Sequence, residues 1–458
     1  MTSSTTEAQA TPDDVRPDAR RASRPGNTGV IAGSMVSGGV VAALLCLFVF
    51  PGAVEPVITG SALLGFGAGW VLLAAWSRQH GRPQRWAWLP ALMMSTSGAL
   101  MIAITPGPTA LSALGWVWPP AMAVVAVYCT MAMRRDLVGF GRWLLYPVFV
   151  AMLLASAGGS YLKLAHVGDS LPAPGEMYEV DGHDVHLDCR GAGSPTVIVQ
   201  AGLGGLSAAW ARVMPGVEVT TRICAFDRAG QGWSEESSQP KDGLHAASDL
   251  HAVLAAAGER GPYVMAGHST GGTYALTYAA TYPEDVAGMV LVDSSSPDQF
   301  TVLPSFPGEF RIVRRVVALL PSVSRLGLGE LVPASFFPDL PEPAAAQVQA
   351  ISTSPQGLRN QRDEQAAIGD LFRQAQALSS LGDRPLVVLT ATVGAAEGWG
   401  IAQDRLAALS TNSSHRLVGT DHGGMLADVN GSAASVEAIA DVVSAVRDGS
   451  SIPHGGGH

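Results

Sequence analysis

Charge is scarce in this chain. Only 14% of its 458 residues are Asp, Glu, Lys or Arg, and the balance is acidic, with a formal net charge of −10. No basic stripe runs through it, which argues against a nucleic-acid partner. The scarcity is uneven. Five stretches, 30–50, 56–76, 88–105, 113–133 and 143–162, contain no Asp, Glu, Lys, Arg or His at all. Ion-coupled transporters and proton relays need ionisable groups inside the membrane, so these stretches read as an anchor. Cysteine is limited to four residues. Cys46 and Cys129 fall inside the apolar stretches and read as apolar fillers.

Each stretch is about 18–21 residues, long enough to cross a hydrocarbon core of roughly 30 Å. A secretory signal is a poor reading of the first, because it is too long and others follow. Trp76, Trp88, Trp116, Trp118 and Trp143 sit near their ends, where interfacial side chains belong. Gly65, Gly67 and Gly69 suit close helix packing. Arg16, Arg20, Arg21 and Arg24 precede the first stretch; Arg78, Arg82 and Arg85 follow the second; Arg134, Arg135 and Arg142 follow the fourth. The alternate loops, 51–55 and 106–112, carry no Lys or Arg. The positive-inside rule then places the N-terminus in the cytoplasm and everything after the fifth stretch outside the cell membrane. Three parts are expected: a polar, disordered cytoplasmic tail over 1–29, five transmembrane helices over 30–165, and a globular domain over 166–458.

In the third part short apolar runs alternate with helical stretches. Strands are predicted at 176–180, 185–189, 196–200, 223–226, 263–266, 288–292, 385–390 and 416–418, and helices at 244–257, 273–282, 401–409 and 433–446. A hairpin followed by alternating strand and helix implies a mostly parallel sheet covered on both faces.

One junction carries chemistry. Tyr263-Val264-Met265-Ala266 leads into Gly267-His268-Ser269-Thr270-Gly271, and a helix-compatible segment follows. Strand, sharp turn and helix put a serine at the apex, with glycines where a Cβ would clash and helix N–H groups beside the hydroxyl. Such a serine becomes a nucleophile when a base is near.

Together with Phe226-Asp227-Arg228-Ala229-Gly230-Gln231-Gly232-Trp233-Ser234, this elbow resembles the α/β-hydrolase fold family, and within it an esterase-like group with a DRAGxGxS motif. The resemblance covers roughly 175–446, apart from an insertion at about 297–382. It implies a mostly parallel eight-stranded sheet with a helical cap. It also implies a Ser-His-acid triad needing no cofactor and no metal. Ser269 is then the nucleophile, and His422, in Gly419-Thr420-Asp421-His422-Gly423-Gly424, the base. The oxyanion donors would be the N–H groups of Thr270 and of Leu203, in Gln200-Ala201-Gly202-Leu203-Gly204-Gly205. Many relatives carry His where this chain has Ala201.

The acid is expected to be Asp293, with Glu397 as the alternative. Asp293 ends an apolar strand, where an unpaired carboxylate would be costly. Glu397 lies in the loop after the strand at 385–390. Asp227 and Arg228 read as an ion pair or turn-fixing pair that supports the site. Cys189 and Cys224 fall on strands that are neighbours in this fold, so they would bridge in an oxidising exterior. The cap, with Phe300, Phe306, Phe310, Phe336 and Phe337 and interleaved Arg311, Arg314 and Arg315, suggests an apolar, partly basic lid facing the membrane. His454 and His458 read as tail residues. The expected activity is cleavage of a small-molecule or lipid carboxylic ester by a membrane-embedded serine hydrolase. Thioesterase, peptidase, acyltransferase and non-catalytic scaffold readings remain open.

Overall fold

The computed structural model describes residues 28–137, 140–165, 171–329 and 339–453. Most of the N-terminal tail with its four arginines, Phe336, Phe337 and the terminal His454 and His458 lie outside the described residues.

The apolar stretches make five long helices: α1 (Thr28–Leu44), α2 (Glu55–Gln79), α3 (Trp88–Ile104), α4 (Pro108–Asp136) and α5 (Gly141–Ala165), of which α4 accommodates Pro119 and Pro120 and α5 accommodates Pro147. All five are long and apolar enough to cross a membrane. They run past the uncharged stretches: α2 starts at Glu55 and α4 ends with Arg134 and Arg135 in its last turn. Lipid-type packing holds them. A Cβ on Gly65 would stand 2.3 Å from the Ala42 Cα, so α1 and α2 touch backbone to backbone. Trp70 stacks on Phe149 and meets Trp86 edge-on at the centre. Trp88, Trp116 and Trp143 are exposed, as interfacial residues would be. Trp118 instead turns inward and donates to Ser97 Oγ at 3.2 Å.

The rest of the chain builds one eight-stranded sheet: β1 (Glu176–Val180), β2 (His183–Arg190), β3 (Val197–Gln200), β4 (Ile223–Phe226), β5 (Tyr263–His268), β6 (Val286–Val292), β7 (Leu386–Ala391) and β8 (Ser413–Val418). Its order is β1-β2-β4-β3-β5-β6-β7-β8. β1 pairs antiparallel with β2, and β2 with β4; all other pairs are parallel. β3 to β7 are buried almost throughout, as a sheet covered on both faces requires. β8 begins three residues earlier than its apolar run predicts. It is an edge strand with a partly exposed pattern, so its polar first residues give no apolar signal.

Cys189 lies opposite Cys224 in the β2–β4 register, and the two form a disulfide.

Between β6 and β7 the insertion folds as helices, among them Phe306–Val317, Ala344–Ser352 and Pro355–Ala375. This cap rests on the long helices. Ala318 is buried with Cys46 and Ile58, Arg315 stacks over Phe48, and Ser322 shares a 2.7 Å hydrogen bond with Thr59.

Candidate active site

The elbow forms because β5 runs straight into the helix Thr270–Thr281 with one residue between. That residue is Ser269, with φ 56° and ψ −130°. A non-glycine residue held there is strained and persists only when its surroundings fix it. They do. The Ser269 N–H donates to the Val292 carbonyl at 3.2 Å, and its carbonyl accepts from Gly272 and Ser295 N–H groups at 3.1 and 2.9 Å. Gly271 permits the turn: a Cβ there would stand 2.2 Å from the Gln200 carbonyl oxygen. Thr270 is the first helical residue, so its N–H has no partner one turn back.

Asp293, directly after β6, also has positive φ (42°), and its N–H is fixed by the Leu389 carbonyl at 2.8 Å. Its Oδ2 stands 2.6 Å from His422 Nδ1. Its Oδ1 accepts from the Ala391 N–H at 3.0 Å and from Trp399 Nε1 at 2.8 Å. Burial would raise the Asp293 carboxyl, but the hydrogen bond and charge of His422, with the Trp399 and Ala391 donors, hold it below the usual carboxylate range. Of the two acids the sequence left open, the structure brings Asp293 to His422. Glu397 is exposed and makes no hydrogen bond or ion pair among the described residues. Its loop contributes instead through Trp399, which sequence reasoning did not single out.

His422 leaves its ring half open to solvent while the Asp293 carboxylate is buried. Its backbone is held by His268, the residue before the serine, whose Nε2 donates to the His422 carbonyl at 2.8 Å. A carbonyl only accepts, so Nε2 carries the proton. Burial and the nearby His422 ring push the His268 pKa down to about 3, so this imidazole stays neutral. The two rings lie 4.5 Å apart, centroid to centroid. His268 is a further residue that the sequence did not mark; the elbow pattern leaves its position open.

The turn after β3 lies against the serine: a Cβ on Gly202 would stand 2.8 Å from Ser269 Cβ and 3.3 Å from its Oγ. Arg228 fixes this turn. Its Nη1 donates to the Ala201 carbonyl at 2.8 Å and its Nη2 to the Gly202 carbonyl at 2.9 Å. Arg228 Nε also pairs with Glu364 Oε1 of the cap at 2.7 Å, and Glu364 Oε2 accepts the Gly204 N–H at 2.8 Å. Leu203 therefore sits between peptides clamped from both sides. The guanidinium stacks over Tyr274 of the elbow helix at 4.3 Å.

Asp227 and Arg228 do fix turns, but the expected ion pair between them gives way to separate partners. Asp227 takes His186 Nδ1 at 2.8 Å, the Ser207 N–H at 2.6 Å and the Trp233 N–H at 3.3 Å. Each charge is buried, and each finds an opposite charge on another element.

Residues 195–346 match the family model described as alpha/beta hydrolase fold. The chain is 32% identical over 132 residues to "Uncharacterized protein YqjL" of Bacillus subtilis, covering 28% of this chain and 52% of that protein. It is 34% identical over 124 residues to "Putative carbamate hydrolase RutD" of Caulobacter vibrioides, covering 26% and 45%. The chain spans about half the length of these curated relatives. The haloalkane dehalogenase DbeA from Bradyrhizobium elkani superposes with a TM-score of 0.51 at 17% identity, covering 60% of this chain and 99% of that one. At that identity the likeness concerns fold alone. The sheet order, elbow and family match together define an α/β-hydrolase-fold domain, here following five long apolar helices.

Proposed function

We propose that this protein is a membrane-anchored serine hydrolase that cleaves carboxylic esters. The observation that carries the reading is the buried Asp293 carboxylate on His422 Nδ1, beside a serine held at positive φ. In that arrangement His422 Nε2 accepts the Ser269 proton as Oγ attacks the ester carbonyl. Asp293 keeps the imidazole in the required tautomer and stabilises its cation. The N–H groups of Leu203 and Thr270 receive the oxyanion. His422 then protonates the leaving alcohol, and water releases the acyl group by the same steps. Phe300, Phe306 and Phe310 of the cap and Leu203 pack against one apolar cluster of Tyr274, Ile368, Leu371 and Phe372, an apolar setting suited to an acyl group.

An extracytoplasmic domain is supported by the loop charges and by what the domain touches. Glu55, at the start of α2, faces Arg325 and Arg359 of the cap. The cavity beside Glu236 and Arg362 is walled by Thr105, Pro106 and Pro108 from the α3–α4 connection. Both contacts come from the arginine-free side of the helices.

The test is labelling of intact cells with a membrane-impermeant fluorophosphonate. Labelling of wild type, but of neither Ser269→Ala nor His422→Ala, is expected. Labelling only after lysis would keep the enzyme and overturn the orientation. No labelling of folded protein would sink the enzyme.

A further inference from the structure

A second site lies away from Ser269, within the long helices. A cavity of about 500 Å³ opens among them. Met35, Phe66, Met94, Met122 and Met152 line it, one from each of the five helices, and Leu326 of the cap forms its roof. Four of these are methionines, flexible thioethers that adapt to an occupant of irregular shape. Beside it is a smaller chamber of about 250 Å³, lined by Trp116, Pro119, Lys163, Arg325 and Pro355 among others. Pro119 lines both spaces, and the consecutive residues Arg325 and Leu326 stand at the boundary.

The two chambers differ in chemistry. The larger is apolar and lies among the five long helices. The smaller lies at the end of α5 and contains cations. Lys163 Nζ donates to Ser112 Oγ at 2.7 Å and pairs with no carboxylate among the described residues. Arg325 shares the single carboxylate of Glu55 with Arg359, whose guanidinium also takes Glu236 at 2.6 Å. Two carboxylates therefore meet two guanidiniums, and the Lys163 charge is left over. An apolar chamber bordered, across Pro119, by one that holds an unbalanced cation matches an amphiphile with an acyl tail and an anionic head.

We propose that the five helices hold one anionic membrane phospholipid, its acyl chain in the methionine-lined cavity and its phosphate at Lys163 and Arg325. The site is independent of the ester-cleavage reading, since none of its lining residues touches Ser269, His422 or Asp293. Its test reads binding and not activity.

The full chain is purified in mild detergent and exchanged into micelles doped with phosphatidylglycerol or phosphatidylcholine, and retained lipid is counted by native mass spectrometry. One phosphatidylglycerol per chain is expected to survive activation. Lys163→Gln should lower the preference for phosphatidylglycerol over phosphatidylcholine about fivefold, the share of one interfacial cation. Ala155→Phe, which fills the cavity wall, should abolish the retained lipid, whereas Val124→Phe on the outer face of α4 should keep it. If Ala155→Phe does not fold, Met122→Trp repeats the test from α4. Equal retention in the filled and unfilled variants would mean surface lipid only and overturn the proposal. Equal retention of phosphatidylcholine would also overturn it. So would glycerol 1-phosphate binding that survives Ala155→Phe, because the site would then hold an anion without a tail.

Discussion

Arg228 and Glu364 meet at 2.7 Å across the boundary between sheet and cap, and both are buried. Between them they hold the carbonyls of Ala201 and Gly202 and the N–H of Gly204. The cap thus supplies part of the support for the turn that faces Ser269. Glu364→Gln should lower kcat for a p-nitrophenyl ester by about 10- to 100-fold, less than the ~10²–10³ of deleting an oxyanion donor. KM should change little, because the support acts on the transition state. A rise in KM at constant kcat would assign the pair to substrate binding instead. Arg228→Lys should behave similarly, since a lysine cannot bridge two carbonyls and a carboxylate with one planar fork.

Asp293→Asn is expected to cost about 10⁴-fold in kcat, as an amide on Nδ1 favours the wrong tautomer. Glu397→Gln should stay within about twofold of wild type, the reproducibility of such assays against the tenfold that 1.36 kcal/mol represents. Steady-state ester hydrolysis in detergent checks both. The reverse ranking would move the acid to the loop after β7.

His186 gives a pH dependence of stability. Burial opposes its cation, yet the Asp227 hydrogen bond and charge, with the Pro174 carbonyl, hold its pKa above the ordinary value of 6.5. The stabilisation is fully present below about pH 6.5. It is lost as pH rises through the elevated folded-state value. His268 has the opposite sign, because its folded pKa is depressed, so the useful quantity is a difference between variants. Thermal melts of wild type and His186→Asn should differ most near pH 6 and converge toward pH 9. A constant difference across that range would show that His186 acts by packing alone.

The Cys189–Cys224 bridge closes a loop over a separation of 35 residues, which in the chain-entropy view contributes about 3–4 kcal/mol. The double Cys→Ser variant should melt well below wild type in non-reducing buffer, and dithiothreitol should lower wild type toward it. No response to reductant in unfolding experiments would mean that the bridge is not formed in the cell.

Much of this architecture was legible in the chain because its signals are local. Uncharged runs mark α1 to α5, and apolar runs with a glycine-flanked serine mark β5 and the elbow. The β2–β4 pairing followed from the fold resemblance once Cys189 and Cys224 were placed on those strands. What stayed hidden depends on contacts between distant segments. Glu364 lies on an amphipathic cap helix, where one carboxylate looks like any other. Its role exists only because that helix returns to the turn after β3. Trp399 and His268 are silent for the same reason. Spacing alone leaves Asp293 and Glu397 open, since each follows a strand; what favours Asp293 is the cost of an unpaired carboxylate at the end of an apolar strand. Arg228 looked paired with its neighbour Asp227 because adjacency is all that sequence offers, yet successive side chains point different ways and each found its counter-charge elsewhere.

The cap is fastened at both ends. Glu364 ties its longest helix, Pro355–Ala375, to the sheet, while Arg359 of that helix and Arg325 tie it to the fully buried Glu55 of α2. A flap that swung outward would expose these charges and leave partners stranded in low dielectric, at several kcal/mol for each broken pair. The insertion is therefore braced as a strut between the sheet and the long helices. Moving it as a flap means breaking these pairs together.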